Sequence, residues 1–352
     1  AVTAPAGATI WEAAREAGVQ IPVLCHHPRL APVGVCRVCA VEVEGGTGLA
    51  ASCVRQAEPG MVVHTVTPRV RSARRMLVEL LLADYPKASA REARGETDLL
   101  LALARAEGIE ASRFAGRSVT DGRDDSSKVI AVDHNACILC DRCIRACDEV
   151  QVNEVIGRQG KGYAARIAFD NDRPMGASTC VSCGECASVC PTGALVDKLL
   201  VPIRAEALRE IRRVGSVCPY CGVGCAITYH MAGNTIVQVT GREESPGNQG
   251  RLCVKGRYGY DYAHHAERLT VPLIRRPEFP KRPESDPDPM RCFREATWEE
   301  ALGLAAATWR RIREESGPSA FAGFGSAKCS NEDNYLFQKL VRAVFGTNNV
   351  DH

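Results

Sequence analysis

The sequence predicts an α+β chain built from several domains, and three observations support this. A short helix, a cysteine-containing loop and alternating strands begin the chain, and an eleven-residue cysteine motif occurs twice in its middle. Near its end, a strand, a turn and a helix follow one another. The length of 352 residues suits two or three domains.

The first region has the pattern of a small β-grasp ferredoxin, to which we assign residues 1–68. Ala8–Ala17 is typical of a short amphipathic helix, Val38–Val43 alternates like a strand, and Met61–Val66 is a further strand candidate. The cysteines of this region have the spacing Cys-x10-Cys-x2-Cys-x13-Cys and are Cys25, Cys36, Cys39 and Cys53. A structural zinc site is the alternative, which the long first gap disfavours.

Cysteine is unusually abundant, with 18 residues in the chain. Disulfide-dense proteins are typically small and secreted, whereas sixteen of these cysteines form four sets with tight Cys-x2-Cys runs, where a metal is the more common partner. Cys292 and Cys329 have no partner at ligand spacing and are interpreted as ordinary small residues. The histidines His26, His27 and His134 lie close to cysteines in sequence and are candidates for tuning a cluster rather than for ligating it.

The middle of the chain contains an internal repeat with the spacing Cys-x2-Cys-x2-Cys-x3-Cys. This is the motif of bacterial two-cluster ferredoxins, in which the fourth cysteine of each copy ligates the other copy's cluster. It predicts two 4Fe–4S clusters in residues 128–210. One would be held by Cys137, Cys140, Cys143 and Cys190, and the other by Cys180, Cys183, Cys186 and Cys147. Proline follows the second copy at Pro191 but not the first, which has Asp148.

The fourth set has the spacing Cys-x2-Cys-x3-Cys-x27-Cys and consists of Cys218, Cys221, Cys225 and Cys253. By itself this spacing also fits a four-cysteine zinc ribbon.

A helical connector is predicted between the first two domains, in residues 69–127. Pro68–Tyr85 is an amphipathic helix, Thr97–Glu107 is a second helix, and Arg113–Lys128 is polar enough to be an exposed connection. Ala83–Ala104 contains no histidine or cysteine.

The last domain, residues 211–352, is expected to begin an α/β fold. Arg268–Pro289 is rich in proline and predicts a surface excursion. A Thr-x-x-Glu capping box at Thr297 opens a helix through Glu315, Pro318–Gly325 is interpreted as a strand, and Asn331–Phe345 as the next helix. The sequence contains no Gly-x-Gly-x-x-Gly or Walker A motif.

Bulk composition narrows the function classes. The 44 Lys and Arg residues nearly balance the 42 Asp and Glu residues, which argues against a nucleic-acid partner. The most apolar helical stretch, Leu99–Ala104, is too short to span a bilayer, and no signal peptide is visible. We therefore expect a cytoplasmic protein without a membrane span.

Two stretches carry a resemblance to known families. The loop CHHPRLAPVGVCRVC resembles the 2Fe–2S domain of complex I large iron–sulfur subunits, iron-only hydrogenases and some formate dehydrogenases, which implies one 2Fe–2S cluster at the first set. CPYCGVGC with RLCVKGRYGYDY resembles the N-terminal cluster domain of molybdenum or tungsten bis-pterin oxidoreductases. That resemblance implies a third 4Fe–4S cluster at the fourth set, with Lys255 between it and a pterin.

The order of the domains resembles the catalytic α subunit of bacterial cytoplasmic, NAD-linked formate dehydrogenases along nearly the whole chain. The resemblance implies a β-grasp 2Fe–2S domain, a two-cluster ferredoxin domain and the start of an α/β bis-pterin molybdoenzyme domain with its own 4Fe–4S cluster. It implies formate oxidation, or the reverse, at Mo or W held by bis-molybdopterin guanine dinucleotide. Electrons would pass by Lys255 through the clusters to an NAD-reducing flavoprotein partner.

The resemblance also sets expectations about missing parts. Many relatives hold an extra cluster with one histidine and three cysteines after the first connector helix, and we expect that cluster to be absent here. The final segment GTNNVDH resembles the stretch just before the family's metal-binding residue, so the sequence contains no catalytic residue that can be assigned. We expect further polypeptide on both sides.

There are four rival interpretations. A complex I-like large iron–sulfur subunit would only conduct electrons, and the doubled ferredoxin motif and Lys255 disfavour it. An iron-only hydrogenase shares the first three cysteine sets but not the fourth, and a zinc-binding module fused to a ferredoxin would not be an enzyme. Another pterin molybdoenzyme, of the nitrate reductase type, competes on the substrate.

Overall fold

The computed structural model describes residues 2–116, 122–200, 211–279 and 289–352. The chain divides into two compact units, and it passes between them several times. Unit 1 comprises Ala1–Val214, Tyr229–Thr240 and Arg251–Tyr258, and unit 2 comprises Gly215–Thr228, Gly241–Gly250 and Gly259–His352. Parts of the predicted connection at 113–128 and of the predicted excursion at 268–289 lie outside the described residues.

The helices of the described residues are mostly short. They are α1 (Ile10–Glu16), α2 (Pro68–Ala83), α3 (Leu99–Ala106), α4 (Arg142–Arg145), α5 (Glu185–Val189), α6 (Val254–Tyr258), α7 (Trp298–Ser316) and α8 (Asn331–Lys339). None of the helices in these ranges combines the length and apolar composition needed to cross a bilayer.

The strands form several small sheets. Unit 1 contains a sheet of order β2-β1-β3, a sheet of order β4-β5-β8 and the hairpin β6-β7, with strands β1 (Ala40–Val43), β2 (Leu49–Ala51), β3 (Val63–His64), β4 (Arg123–Asp124), β5 (Ile130–Asp133), β6 (Ile156–Gln159), β7 (Arg166–Phe169) and β8 (Leu195–Asp197). The later sheets have the orders β11-β10-β9, β12-β13 and β14-β15, with strands β9 (Arg212–Val217), β10 (Ala226–Ala232), β11 (Thr235–Gly241), β12 (Leu273–Arg275), β13 (Phe293–Glu295), β14 (Gly323–Phe324) and β15 (Val350–Asp351).

The first sheet and α1 enclose a small core. Thr9 and Glu12 form a reciprocal capping box at the start of α1, which satisfies two free N–H groups of the helix end. Trp11 on α1 is buried, and its indole N–H donates to the Ile21 carbonyl at 3.0 Å. Cys39 and Cys53 belong to the same core. The packing that stabilises this domain therefore also shapes its cysteine site.

The predicted helices of the connector are present with shorter bounds. The Thr67 hydroxyl accepts from the Val70 N–H, so α2 begins at Pro68, as predicted, and it ends at Ala83. Asp98 is fully buried at the start of α3, where its carboxylate accepts from the first N–H groups of the helix. The two helices pack on a shared apolar core.

The cysteine repeat lies on the largest apolar core of unit 1. The sheet β4-β5-β8 and the hairpin β6-β7 supply side chains that are at most 2% exposed, among them Ile130, Ile167, Phe169 and Leu195, and Met175 of a 3-10 turn packs with them. Burial of each such side chain stabilises the fold by about 1.5–3 kcal/mol before entropy costs. This core holds the two cysteine loops on a rigid base.

Unit 2 contains the predicted long helix and the start of an α/β arrangement. α7 begins after Thr297, whose hydroxyl accepts from the Glu300 N–H, while the Glu300 carboxylate pairs with Arg294. Strands β14 and β15 pair in parallel, and α8 lies between them in sequence. Parallel strands joined through a helix are the unit from which α/β domains are built.

Two predicted elements of unit 2 differ in extent. The strand expected at Pro318–Gly325 is reduced to β14, because Pro318–Ala320 forms a 3-10 turn, and a proline lacks the N–H that a ladder needs. The helix expected at Asn331–Phe345 is α-helical only to Lys339, and Leu340–Phe345 is a π-helical turn. Helical periodicity predicts the existence of the helix but not this widened last turn.

Candidate iron–sulfur sites

Two neighbouring strands bring the first cysteine set together. Cys39 precedes β1 and Cys53 follows β2, and the antiparallel pairing of the two strands leaves their sulfurs 3.4 Å apart. The Cys25 N–H donates to the Cys36 sulfur at 3.4 Å, and the Cys25 sulfur is hydrogen-bonded to those of Cys36 and Cys53. All four predicted residues therefore share one site.

Hydrogen bonds among these thiols favour loss of protons at two of them. Bonds from Cys36 and Cys53 lower the pKa of Cys25, and a bond from Cys53 lowers the pKa of Cys39. The same bonds, together with burial, raise the pKa of Cys36 and Cys53. The set can therefore carry negative charge at neutral pH, and thiolates are the form of cysteine that binds metal.

The two copies of the repeat have the same backbone shape. Positive φ angles occur at equivalent positions, at Leu139 (52°) and Asp141 (59°) in the first copy and at Ser182 (55°) and Gly184 (78°) in the second. Left-handed residues that alternate with ordinary ones turn successive N–H groups toward one side, and such concavities bind anions and iron–sulfur clusters. Three of the four residues are not glycine, so each loop stores backbone strain, as is common at functional sites.

The loops also direct N–H groups at the cysteine sulfurs. The Ser182 N–H donates to the Cys180 sulfur at 3.4 Å, and the Leu139 N–H donates in the same way to Cys137. Bonds of this kind stabilise a thiolate, and hydrogen bonds to sulfur help set the reduction potential of a bound cluster.

Both copies contribute to the first predicted 4Fe–4S site. One small cavity is lined by all four of its cysteines, which are Cys137, Cys140, Cys143 and Cys190. Burial raises the pKa of Cys137 to about 11 and that of Cys140 to about 12, and the nearby Cys190 adds to both shifts. Binding of a cluster at this cavity would therefore release protons, because ligand thiols must ionise.

The second predicted 4Fe–4S site is also composed of both copies. Burial raises the pKa of Cys186, and the charges of Cys183, Cys180 and Cys147 raise it further. The pKa of Cys147 is raised by burial, with a contribution from Cys180. Cys147 of the first copy thus lies with the three closely spaced cysteines of the second.

The fourth set is divided between the units. Cys218, Cys221 and Cys225 form one turn of unit 2, in which the Cys218 N–H donates to the Cys225 carbonyl at 2.9 Å. The Asn331 amide, at the start of α8, donates to the Gly222 carbonyl of this turn at 3.0 Å. The fourth cysteine and the predicted lysine belong to unit 1, where Cys253 and Lys255 are both exposed.

Two arginines of the first copy bind the loop of the first set. The Arg145 guanidinium donates to the Cys25 carbonyl at 2.5 Å and to the Cys140 carbonyl at 3.4 Å. Arg142, which is 4% exposed, donates to the His26 carbonyl and to the Val189 carbonyl. The cysteine spacing gave no reason to select these arginines.

A buried carboxylate of the second copy binds two other segments. Glu185 is 1% exposed, and it pairs with Arg257 at 2.5 Å and with Arg29 at 3.4 Å. Arg257 lies two residues after Lys255, and its Nε donates to the Cys183 carbonyl at 2.8 Å. Sequence reasoning missed these residues too, although a charged residue inside a ligand loop, as at Glu185, is a usable signal.

The segment that lacks histidine and cysteine contains a polar network. Within Ala83–Ala104, the Tyr85 and Ser89 hydroxyls both donate to the buried Asp98 carboxylate. The Gly193 N–H donates to the Tyr85 oxygen at 3.2 Å. This network connects the connector to the end of the second cysteine copy.

The donor chemistry of the sites fits iron–sulfur clusters. All 18 cysteines are free thiols, and cysteine thiolates in sets of four are the ligands of 2Fe–2S and 4Fe–4S clusters. Two buried polar groups beside the cysteines, the His26 ring nitrogens and the Tyr258 hydroxyl, lack a hydrogen-bond partner among the described residues. Such groups call for an explanation, and a group bound at the cysteines is one.

Comparison with protein families matches four parts of the chain. Residues 1–68 match a 2Fe-2S iron-sulfur cluster binding domain, and residues 136–194 match a 4Fe-4S dicluster domain. Residues 211–265 match the molybdopterin oxidoreductase Fe4S4 domain, and residues 268–352 match the molybdopterin oxidoreductase model.

Curated relatives match nearly all of the chain. A Bacillus subtilis protein named in general terms as an oxidoreductase is 32% identical over 98% of the chain and 37% of its own length. The α subunit of an NADPH-Fe(3+) oxidoreductase from Geobacter sulfurreducens is 34% identical over 99% of the chain and 39% of its own length. A Staphylococcus aureus protein provisionally named as a formate dehydrogenase is 30% identical over 98% of the chain and 37% of its own length. The chain thus spans less than two fifths of these relatives.

A solved structure matches part of the chain. It is a chain of an NAD+-reducing [NiFe]-hydrogenase in its H2-reduced state, with a TM-score of 0.51 and 34% identity, and the match covers 56% of this chain and 83% of that one. The four matched models show that the chain contains a 2Fe–2S domain, a 4Fe–4S dicluster domain and molybdopterin oxidoreductase domains.

Proposed function

We propose that this chain is the electron-relay portion of a formate dehydrogenase, which interconverts formate and CO2 at a Mo or W bis-molybdopterin guanine dinucleotide site formed mostly outside this sequence. The observation that carries the proposal is the gathering of the first three cysteine sets into sites that the charged side chains of Arg145 and Glu185 join. The name of the Staphylococcus aureus relative supports formate as the substrate.

Each predicted cysteine has a role in this proposal. The first set would hold one 2Fe–2S cluster, and the other sets would hold three 4Fe–4S clusters, two of them in the crosswise arrangement. When bound, such clusters accept and pass single electrons at potentials that the protein adjusts. Lys255 would lie between the fourth-set cluster and the pterin, as the family resemblance implies.

Two side chains of the chain, Arg145 and Glu185, would fix the positions of the cluster sites relative to one another. Arg145 connects the carbonyl groups of Cys25 and Cys140, so one guanidinium contacts a ligand of the first set and a ligand of the crosswise pair. Glu185 pairs with Arg29, in the loop of the first set, and with Arg257 of helix α6, which follows Cys253. Fixed geometry of this kind keeps the distances between the sites constant.

The partner in this proposal is an NAD-reducing flavoprotein in the cytoplasm. The matched structure belongs to an NAD+-reducing enzyme, which supports a partner of that kind. The domain boundaries 1–68, 69–127, 128–210 and 211–352 remain part of the proposal.

A second candidate follows from the Geobacter sulfurreducens relative, whose name gives NADPH and Fe(3+) as reactants. In that case the chain would conduct electrons between a pyridine-nucleotide partner and another acceptor, and formate would not react. If nitrate or another compound were the substrate of the pterin site, formate would likewise not react.

Formate added to the purified full-length protein without oxygen tests the two candidates. The proposal predicts that formate bleaches the iron–sulfur absorbance, that NADPH does not, and that nitrate does not restore the absorbance of protein reduced with dithionite. Bleaching by dithionite but not by formate would contradict the formate assignment and leave the relay in place. An iron-to-zinc ratio measured on the same sample would reveal a zinc-binding module.

A further inference from the structure

The Tyr258 side chain is buried beside the second predicted 4Fe–4S site. The residue is 5% exposed, and its hydroxyl has no hydrogen-bond partner in the part of the chain that the structure describes. Burying an unpaired hydroxyl costs about 1–3 kcal/mol. A polar group held in this way needs a partner that is not an amino acid of the described chain.

The surroundings of the hydroxyl place it at the cysteine loop of the second copy. A Cβ atom added to Gly184 would collide with the Tyr258 hydroxyl and with Arg257 Cδ. Gly184 lies between Cys183 and Cys186, and both cysteines are close enough to influence the ionisation of Tyr258. Glycine at this position therefore lets α6 approach the ligand loop.

A second contact fixes the direction of α6. Arg257, the neighbour of Tyr258, donates to the Cys183 carbonyl and pairs with Glu185, so two adjacent side chains of α6 cover three consecutive residues of the loop. Asp197 is a further charged neighbour of Tyr258, but the hydroxyl makes no hydrogen bond to it. The Cys183 carbonyl and the Glu185 carboxylate, the two polar groups of the loop that these contacts involve, are thus already bonded to Arg257.

We propose that the Tyr258 hydroxyl donates a hydrogen bond to a sulfur of the cluster held by Cys180, Cys183, Cys186 and Cys147, and thereby raises the reduction potential of that cluster alone. A donor to sulfur stabilises the reduced form, which carries the additional negative charge. The inference rests on the proposed cluster assignment, but it does not depend on the substrate. It assigns to α6 a tuning role at a cluster other than the one that Cys253 would ligate.

The test is a redox titration of the full-length, cluster-loaded protein followed by EPR, comparing Tyr258→Phe with wild type. We expect one 4Fe–4S signal to shift to a more negative potential by about 59 mV. For a one-electron couple this corresponds to a tenfold change in the ratio of reduced to oxidised cluster. The iron content and the remaining signals should be unchanged. Cys180→Ser identifies the signal that belongs to this site.

Tyr262→Phe is the matched control, because Tyr262 lies four residues further on and is 46% exposed. It should move no signal. Unchanged potentials in Tyr258→Phe at full iron content would overturn the inference, and so would a loss of iron or a shift of several signals, which would indicate a role in folding. Failure of formate to reduce the clusters would leave this result untouched, so the inference and the proposed function can fail separately.

Discussion

The two copies of the cysteine repeat differ most at one equivalent position, which is Arg142 in the first copy and Glu185 in the second. Both residues directly precede the third cysteine of their copy, and both are buried, at 4% and 1% exposure. Arg142 donates to backbone carbonyls, including that of His26, whereas Glu185 pairs with the side chains of Arg29 and Arg257. Opposite charges on one scaffold give the two copies different kinds of partner: both contact the loop at residues 26–29, but only Glu185 also pairs with Arg257.

This difference shows how two copies of one cysteine motif can contact different parts of the same chain. The backbone of both loops is the same, with left-handed residues at matching positions, so each copy can present the same ligand geometry. What differs is the contact beyond the ligands. The first copy binds the loop of the first set, and the second copy binds the helix that follows Cys253 as well.

Glu185→Gln should have the largest effect on stability. The change leaves Arg257 and Arg29 without a negative partner in a buried site, and breaking a buried pair in this way costs about 3 kcal/mol. Urea denaturation of the wild type and the variant measures the loss. Glu300→Gln removes a carboxylate from an exposed pair with Arg294 and should change little. Equal effects of the two variants would contradict the importance given to Glu185.

Gly184→Ala should cost about 2 kcal/mol, whereas Asp141→Gly at the equivalent position of the first copy should be nearly neutral. An alanine at Gly184 would adopt a left-handed φ of 78° and collide with α6. Asp141→Gly relieves the same backbone strain but removes a partly exposed pair with Arg158, two effects that nearly cancel. Chemical denaturation compares the two variants, and a greater loss for Asp141→Gly would show that the copies are not distinguished by α6.

The stability of the folded protein should also depend on pH through Asp197, a neighbour of Tyr258. Burial raises the pKa of Asp197 to about 6, above its ordinary value of 3.8, so the folded protein holds this proton more tightly than the unfolded chain does. Stability is therefore expected to fall by about 2 kcal/mol at most as the pH rises from about 4 to about 6. Asp197→Asn should remove this component. A wild-type profile that Asp197→Asn leaves unchanged would contradict the assignment.

The sequence predicted the parts that depend on local pattern. Cysteine spacing selected residues that the structure brings together in the first set and in the crosswise pair, because ligand loops are short and their geometry is local. The start of α2 at Pro68 was predicted from its amphipathic pattern, and that of α7 from the capping residue Thr297.

The sequence did not predict the parts that depend on distant contacts. Glu185 and Arg257 are 72 positions apart, and nothing in either local pattern indicates that they pair. The burial of Tyr258 against Gly184 is of the same kind. The strand near Pro318 was overestimated, because apolar alternation does not reveal which N–H groups a ladder will use.

Crosswise ligation of the two 4Fe–4S clusters is tested most directly by cysteine variants followed by EPR redox titration. Cys137→Ser and Cys190→Ser should alter one and the same 4Fe–4S signal, while Cys180→Ser and Cys147→Ser should alter the other. If Cys190→Ser instead altered the signal that Cys180→Ser alters, each copy would bind its own cluster, and crosswise ligation would be wrong.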